Sequence, residues 1–373
     1  MNEQTLLNEL LKIQSVTPND NGCLELISGL LKDIGFEIER FDKNGVSNLW
    51  AIIGKEGPIF CLAGHTDVVP ADKDQWNTDP FIPTEIEGKL FARGAADMKG
   101  GLACLVTAAI NFIKKNPGLK GRLAFLLTSD EEGAADFGTK YVMQELQKKQ
   151  IQLDWCLIGE PSSSERLFDF ARIGRRGSLS GILSIHGQEG HVAYPQPTEN
   201  VMLTYAKFMD AMDKLDLGRG NKFFPKTSFQ SVYVHSDANA VNVIPSSLSA
   251  RFNLRYSDEW SFETLSSQIE KILNSLSCQY KIEWKNAGNP FITKEGHFSD
   301  VVKGCVYEVV GDELTYSTAG GTSDGRYIAP YGTEVIELGP INKSIHKNNE
   351  FIELDHLALM TKTYERILAK MLT

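Results

Sequence analysis

The sequence predicts an α/β protein, a mainly parallel sheet domain flanked by helices, with an inserted ferredoxin-like α+β domain. Three observations predict it. Short apolar runs at 59–63, 123–128 and 155–158 have the length and composition of strands buried on both faces. Helical patterns alternate with them, strongest over 99–115, which is rich in Ala and Leu, as crossovers between parallel strands require. Farther along, the style changes to strict alternation. Leu248, Ala250, Phe252, Leu254 and Tyr256 face one way, and Ser249, Arg251, Asn253 and Arg255 face the other.

In chain order, 4–13 and 23–34 read as amphipathic helices around the turn Thr17-Pro18-Asn19-Asp20-Asn21-Gly22. Strands at 37–41 and 47–54 begin a sheet, the 59–63 strand follows, and a polar loop runs to Asp97. The 99–115 helix closes on Asn116-Pro117-Gly118. Strand 123–128, helix 139–149 and strand 155–158 complete the first part. After Arg175-Arg176-Gly177 come strand 179–186, helix 200–214, strands 228–235 and 247–257, helix 262–276 and strand 278–285. That order, β-α-β-β-α-β, is the ferredoxin-like one. Residues 286–290 read as a return linker, and helix 299–310, strand 334–338 and helix 355–371 resume the α/β style. Residues 1–178 and 291–373 therefore form one discontinuous domain, and 179–290 an insertion.

A chain of 373 residues, with 42% hydrophobic and 23% charged residues, has the composition of a soluble globular protein of two domains. Its formal charge of 38 − 48 = −10 weighs against nucleic acid or an anionic membrane as partner. No apolar run reaches bilayer-spanning length, and the N-terminus lacks the basic start and apolar core of a signal peptide. The cysteines are scattered without a C-x-x-C pair, and Cys61, Cys104 and Cys156 lie inside apolar runs. The expectation is a cytoplasmic protein with reduced structural thiols and no thiolate metal site.

The chemistry collects where apolar runs end. His65 and Asp67 follow 59–63, and Asp97 precedes the 99–115 helix. Glu131 and Glu132 follow 123–128, Glu160 follows 155–158, and His346 follows 334–338 across a short loop. Any one of these, alone, is an ordinary strand-end polar residue or helix cap. In a parallel sheet the strand C-termini share one edge, so the set converges. Carboxylates gathered there repel one another unless divalent cations intervene, and mixed imidazole and carboxylate donors suit zinc or a similar first-row metal. The donors exceed the needs of one ion; a pair roughly 3.5–4 Å apart would use them all. Such a pair makes hydroxide available near neutral pH and polarises a carbonyl, which points to hydrolysis of an amide or ester.

Longer stretches carry a resemblance. Ala63-Gly64-His65-Thr66-Asp67-Val68-Val69-Pro70, Arg93-Gly94-Ala95-Ala96-Asp97-Met98-Lys99-Gly100, Ser129-Asp130-Glu131-Glu132-Gly133 and Gly159-Glu160-Pro161 resemble the signature blocks of the two-zinc aminoacylase and carboxypeptidase family. His191-Val192-Ala193-Tyr194-Pro195, with the blocks beginning at Gly174, Gly320 and Gly339, is similar to a subgroup that acts on succinylated amino acids. The similarity runs from about Ser15 to Glu350; Ala92 stands where the family has glycine.

The resemblance implies two zinc ions per subunit, with cobalt or manganese as substitutes in the second position. Asp97 would bridge them, His65 and Glu160 completing one and Glu132 and His346 the other. Asp67 would fix the His65 ring by accepting its other N–H. The Asp97–Met98 peptide would be cis. Glu131 would be the general acid/base. His191 would act across a homodimer formed through 179–290. For a substrate ending in a free carboxylate, Arg175 is the first candidate ligand. Gly321, Thr322 and Asn342 would add neutral donors, and Asn242 and Arg255 would contribute from the inserted domain. Two alternatives stay open: a related deacylase acting on N-acetylated amino acids, and a metal-bearing binding protein without catalysis.

Overall fold

The Ile59–His65 run is buried at every position because it lies in the middle of an eight-stranded sheet. The architecture is that of a computed structural model, which describes residues 1–194, 200–321 and 323–373. The chain divides into two units, Met1–Gly174 with Ile292–Thr373, and Arg175–Phe291.

In the first unit the sheet order is Glu37–Arg40, Asn48–Ile53, Arg122–Thr128, Ile59–His65, Trp155–Ile158, Glu334–Glu337, Phe170–Arg172 and Thr315–Ser317. The four strands from Arg122–Thr128 to Glu334–Glu337 are parallel to one another. Around them the sheet departs from the mainly parallel expectation. Glu37–Arg40 and Asn48–Ile53 are antiparallel to each other, Asn48–Ile53 is antiparallel to Arg122–Thr128, and Phe170–Arg172 meets Glu334–Glu337 antiparallel. The first reversal has a simple cause. A tight turn through Asn44 and Gly45, both at positive φ, joins the first two strands, and a parallel return needs a crossover of a dozen or more residues. The fold is therefore mixed α/β with a parallel centre.

The Gly100–Lys115 helix is buried along most of its length and packs against Leu354–Leu372, which also covers His297–Val310. Residues Ala95–Lys115 are long and apolar enough to cross a membrane, contrary to the reading of the bare sequence, but 89% of that stretch is buried. Its apolarity is that of a core helix packed on all sides. A small sheet of Thr84–Ile86, Lys89–Phe91 and Phe351–Glu353, which the sequence reading left as loop, joins the polar segment before Arg93 to the segment after His346. None of the cysteines forms a disulfide; Cys278 is half-buried and the others are buried.

The second unit has the element order β-α-β-β-α-β. Its sheet runs Ser228–Ser236, Ser247–Tyr256, Gly177–His186, Gln279–Gly288, with every pairing antiparallel. Helices Val201–Lys214 and Phe262–Ser275 supply Val201, Phe208, Leu265 and Ile269 to a core with Leu248, Ala250, Phe252, Leu254 and Tyr256. Ser261 begins the second helix with a capping box completed by Thr264. The Ser228–Ser236 strand lies at a sheet edge and exposes Val232, Tyr233 and Val234 at 67%, 44% and 50%.

Candidate metal centre

The site begins where the Ile59–His65 strand leaves the sheet. His65 is 1% exposed, and its Nδ1 lies 2.8 Å from the carbonyl oxygen of Asp67. That contact puts the ring proton on Nδ1 and leaves the Nε2 lone pair free. Nε2 is buried with no hydrogen-bond partner. It points at two carboxylates, Asp97 Oδ1 at 3.4 Å and Glu160 Oε1 at 3.6 Å. The second oxygen of Asp97, Oδ2, is 3.2 Å from Nε2 of His346, which is 2.9 Å from Glu132 Oε1. One carboxylate thus spans two imidazoles, each facing a second carboxylate of its own. Donor atoms of His65, Asp97 and Glu132 lie within 4.8 Å of one another, and so do those of His65, Glu131 and Glu160.

Local sequence explains how these groups approach so closely. A Cβ at Gly101 would sit 2.0 Å from the Gly159 carbonyl oxygen. Only glycine lets the start of the Gly100–Lys115 helix meet the end of the Trp155–Ile158 strand, which brings Asp97 beside Glu160. A Cβ at Gly64 would meet the Met98 methyl at 2.5 Å; in its absence Met98 Sδ accepts the His65 N–H at 3.3 Å. The Asp97–Met98 peptide is cis.

Asp67 stands at the other ring nitrogen of His65. Its carbonyl, not its carboxylate, is nearest the His65 ring; the carboxylate Oδ1 is 3.5 Å away. The Asp67 carboxylate also accepts the backbone N–H groups of Glu131 and Glu132 at 3.3 and 3.1 Å. Asp67 therefore couples the His65 turn to the Glu-Glu turn.

The electrostatics call for cations. Burial pushes the Glu131 carboxyl up to about 8, against the pull of His65 and helped by Asp324 and Glu132. Burial, with Asp97 next, raises Glu160 well above the usual range. Burial also works to raise Asp97, but His346 and His65 outweigh it and hold it low. Asp97 and Glu132 together lift His346 to about 10. Buried carboxylates gathered around two imidazoles form a donor set that fits a first-row metal.

Two residues of this unit escaped the sequence reading. Glu350 is fully buried and accepts from the N–H groups of Gly94, Ala96 and Asp97, each at 2.9 Å, and from Arg93 Nη1 at 2.8 Å. The signal that could have found it is Arg93, a charged residue in the 93–100 stretch that requires a partner when buried. Asp324 is buried, accepts from Thr139 Oγ1 at 2.7 Å and has no partner on Oδ1; burial lifts it to about 6.

The remaining candidates are distributed as follows. Asn342 is half-buried, donates its N–H to the Ser163 carbonyl at 3.0 Å and stands four residues before His346. Gly321 is exposed, and Thr322 lies outside the described residues. Arg175, Arg255, His191 and Asn242 belong to the second unit. Arg175 is buried there, and Arg255 pairs in register with Ser178. His191 is exposed on a ribbon in which Gly190–His191 pairs with Val243–Ile244, and its Nε2 lies 3.5 Å from Asn242 Nδ2.

Residues 61–370 match the model of peptidase family M20/M25/M40, and the chain belongs to that family, an amide-hydrolysing class of enzyme. Among its relatives is the succinyl-diaminopimelate desuccinylase of Acinetobacter baumannii strain ACICU, 46% identical over 98% of this chain and 97% of the relative. Two solved structures share the fold. Aminopeptidase PepT from Bacillus cereus superposes with TM-score 0.79 at 19% identity, covering 99% of this chain and 98% of the other. YXEP from Bacillus subtilis, described as a dinuclear metal binding peptidase, superposes with TM-score 0.69 at 12% identity, covering 99% of each chain.

Proposed function

We propose that this enzyme hydrolyses the amide bond of N-succinyl-L,L-2,6-diaminopimelate, releasing succinate and L,L-2,6-diaminopimelate for lysine and cell-wall precursor synthesis. The observation that carries the reaction class is the Asp97 carboxylate between two imidazoles, each with its own second carboxylate. The substrate rests on the 46% identity to a protein bearing that activity in its name. His65, Asp97 and Glu160 would hold one zinc ion, and Asp97, Glu132 and His346 the other. Such a pair supplies an activated water and an electrophile for the scissile carbonyl.

Glu131 is placed for the proton work. It is half-buried, adjoins Glu132, and is anchored through its backbone N–H by Asp67. In its carboxylate form it takes the proton of the attacking water, and in its acid form it returns that proton to the leaving amine. Arg175 holds the terminal carboxylate of the succinyl group, with Gly321, Thr322, Asn342, Asn242 and Arg255 as neutral or supporting contacts. The inserted segment 179–290 serves as a lid and makes the homodimer, through which His191 acts in trans on the developing oxyanion. The exposed Val232, Tyr233 and Val234 of the unpaired edge favour a second copy as their cover. The setting is the cytoplasm.

Metal analysis coupled to succinate release tests the whole reading. The purified protein is expected to carry two zinc ions per chain, to lose activity on chelation, and to regain it with zinc. Faster turnover of N-acetylornithine than of the succinylated substrate would replace this assignment with a deacetylase. No hydrolysis of either, with metal bound, would leave a binding protein.

A further inference from the structure

Glu350 stands four residues beyond His346, immediately before the Phe351–Glu353 strand, and its side chain is buried. Its two oxygens divide their work. Oε2 accepts from Arg93 Nη1 at 2.8 Å and from the Gly94 N–H at 2.9 Å. Oε1 accepts from the N–H groups of Ala96 and Asp97, both at 2.9 Å. The Glu350 carbonyl accepts the Ala92 N–H at 3.1 Å, and Arg93 Nη1 also reaches the Lys347 carbonyl at 3.1 Å. The Arg93 guanidinium in turn lies 5.1 Å from the centre of the Trp76 ring. One buried acid therefore gathers most of the free donors of the turn that ends in Asp97. The same short segment carries His346, whose Nε2 faces that carboxylate.

Four donors on a carboxylate in a low-dielectric interior fix it in one geometry. A fold support would need only the Arg93 pair. The bonds to Ala96 and Asp97 do something more local: they set the backbone from which the bridging carboxylate projects. We propose that Glu350 is a positioning residue of the metal centre, clamping the Arg93–Asp97 turn so that Asp97 meets both imidazoles before any cation arrives. The proposal rests on the two-cation reading given above and deepens it.

The test uses the full-length protein, stripped of metal, with zinc as the probe. Glu350→Gln keeps the shape but cannot keep the four bonds, because its NH2 must face one pair of donors whichever way the amide is turned. Zinc Kd values are read by competition with a chromophoric chelator, and cobalt-substituted protein is examined by its visible absorption. Folded E350Q is expected to bind zinc about 10–100-fold more weakly and to show an altered cobalt band. If E350Q does not fold, Arg93→Lys carries the test. It leaves the three backbone donors in place, removes the guanidinium, and is expected to weaken zinc by about threefold or more. Zinc affinities within about twofold of the parent, with an unchanged cobalt band and only a lower Tm of the metal-free protein, would make Glu350 a fold support and overturn the inference. If the parent chain itself fails to hold two zinc ions, the two-cation reading falls first and takes this inference with it.

Discussion

At the scale of single residues, the centre works by dividing labour between neighbours. Glu131 and Glu132 are consecutive, yet their surroundings differ. Glu132 faces His346 at 2.9 Å, whereas Glu131 is lifted to about 8 by burial and makes no ion pair with either imidazole among the described contacts. Glu131→Gln preserves shape and removes the proton carrier. Succinate release should fall by about 10²–10⁴-fold while the metal content stays at that of the parent, measured on the same preparation. A rate within about tenfold of the parent would take the proton role away from Glu131. The residues of the cluster were legible in the sequence because each follows an apolar strand or opens a helix. Glu350 was not, since it sits in the polar run Lys347-Asn348-Asn349-Glu350 and its partners lie some 250 positions earlier.

At the scale of elements, the site depends on how tightly a helix and a strand approach. Gly101 and Gly159 touch where Asp97 and Glu160 must converge. In Gly101→Ala the added methyl would have to displace the Gly159 carbonyl, 2.0 Å away, and the neighbouring backbone is close-packed. The expected cost is about 1–3 kcal/mol in chemical denaturation, accompanied by loss of bound metal. Unchanged stability and metal content would mean that the two elements separate easily. Strand and helix positions followed from periodicity, but strand direction did not. The antiparallel pairing of Asn48–Ile53 with Arg122–Thr128 joins segments far apart in the chain, and an apolar run carries no arrow.

At the scale of the whole molecule, the second unit offers an open sheet edge. Among the described residues, strand Ser228–Ser236 has a partner on one side only, and its middle exposes Val232, Tyr233 and Val234. Such an edge invites pairing with another chain unless charge protects it. If a second copy covers this edge, as proposed, the double variant V232K/V234K should sediment as a monomer where the parent sediments as a dimer. If His191 acts in trans, activity should drop by about a hundredfold or more with the metals retained. A monomeric variant with full activity would separate dimerisation from catalysis.

The sequence by itself determined the local chemistry: which runs become strands, which residues end them, and that imidazoles and carboxylates outnumber the needs of one ion. These are short-range facts, set by periodicity and by the residue types at strand ends. The tertiary structure decided which oxygen faces which nitrogen. It set the Asp67 carbonyl, rather than its carboxylate, against His65, and it closed Glu350 around the turn that bears Asp97. Those outcomes depend on angles at turns and on partners hundreds of residues apart, and hydrophobic spacing encodes neither.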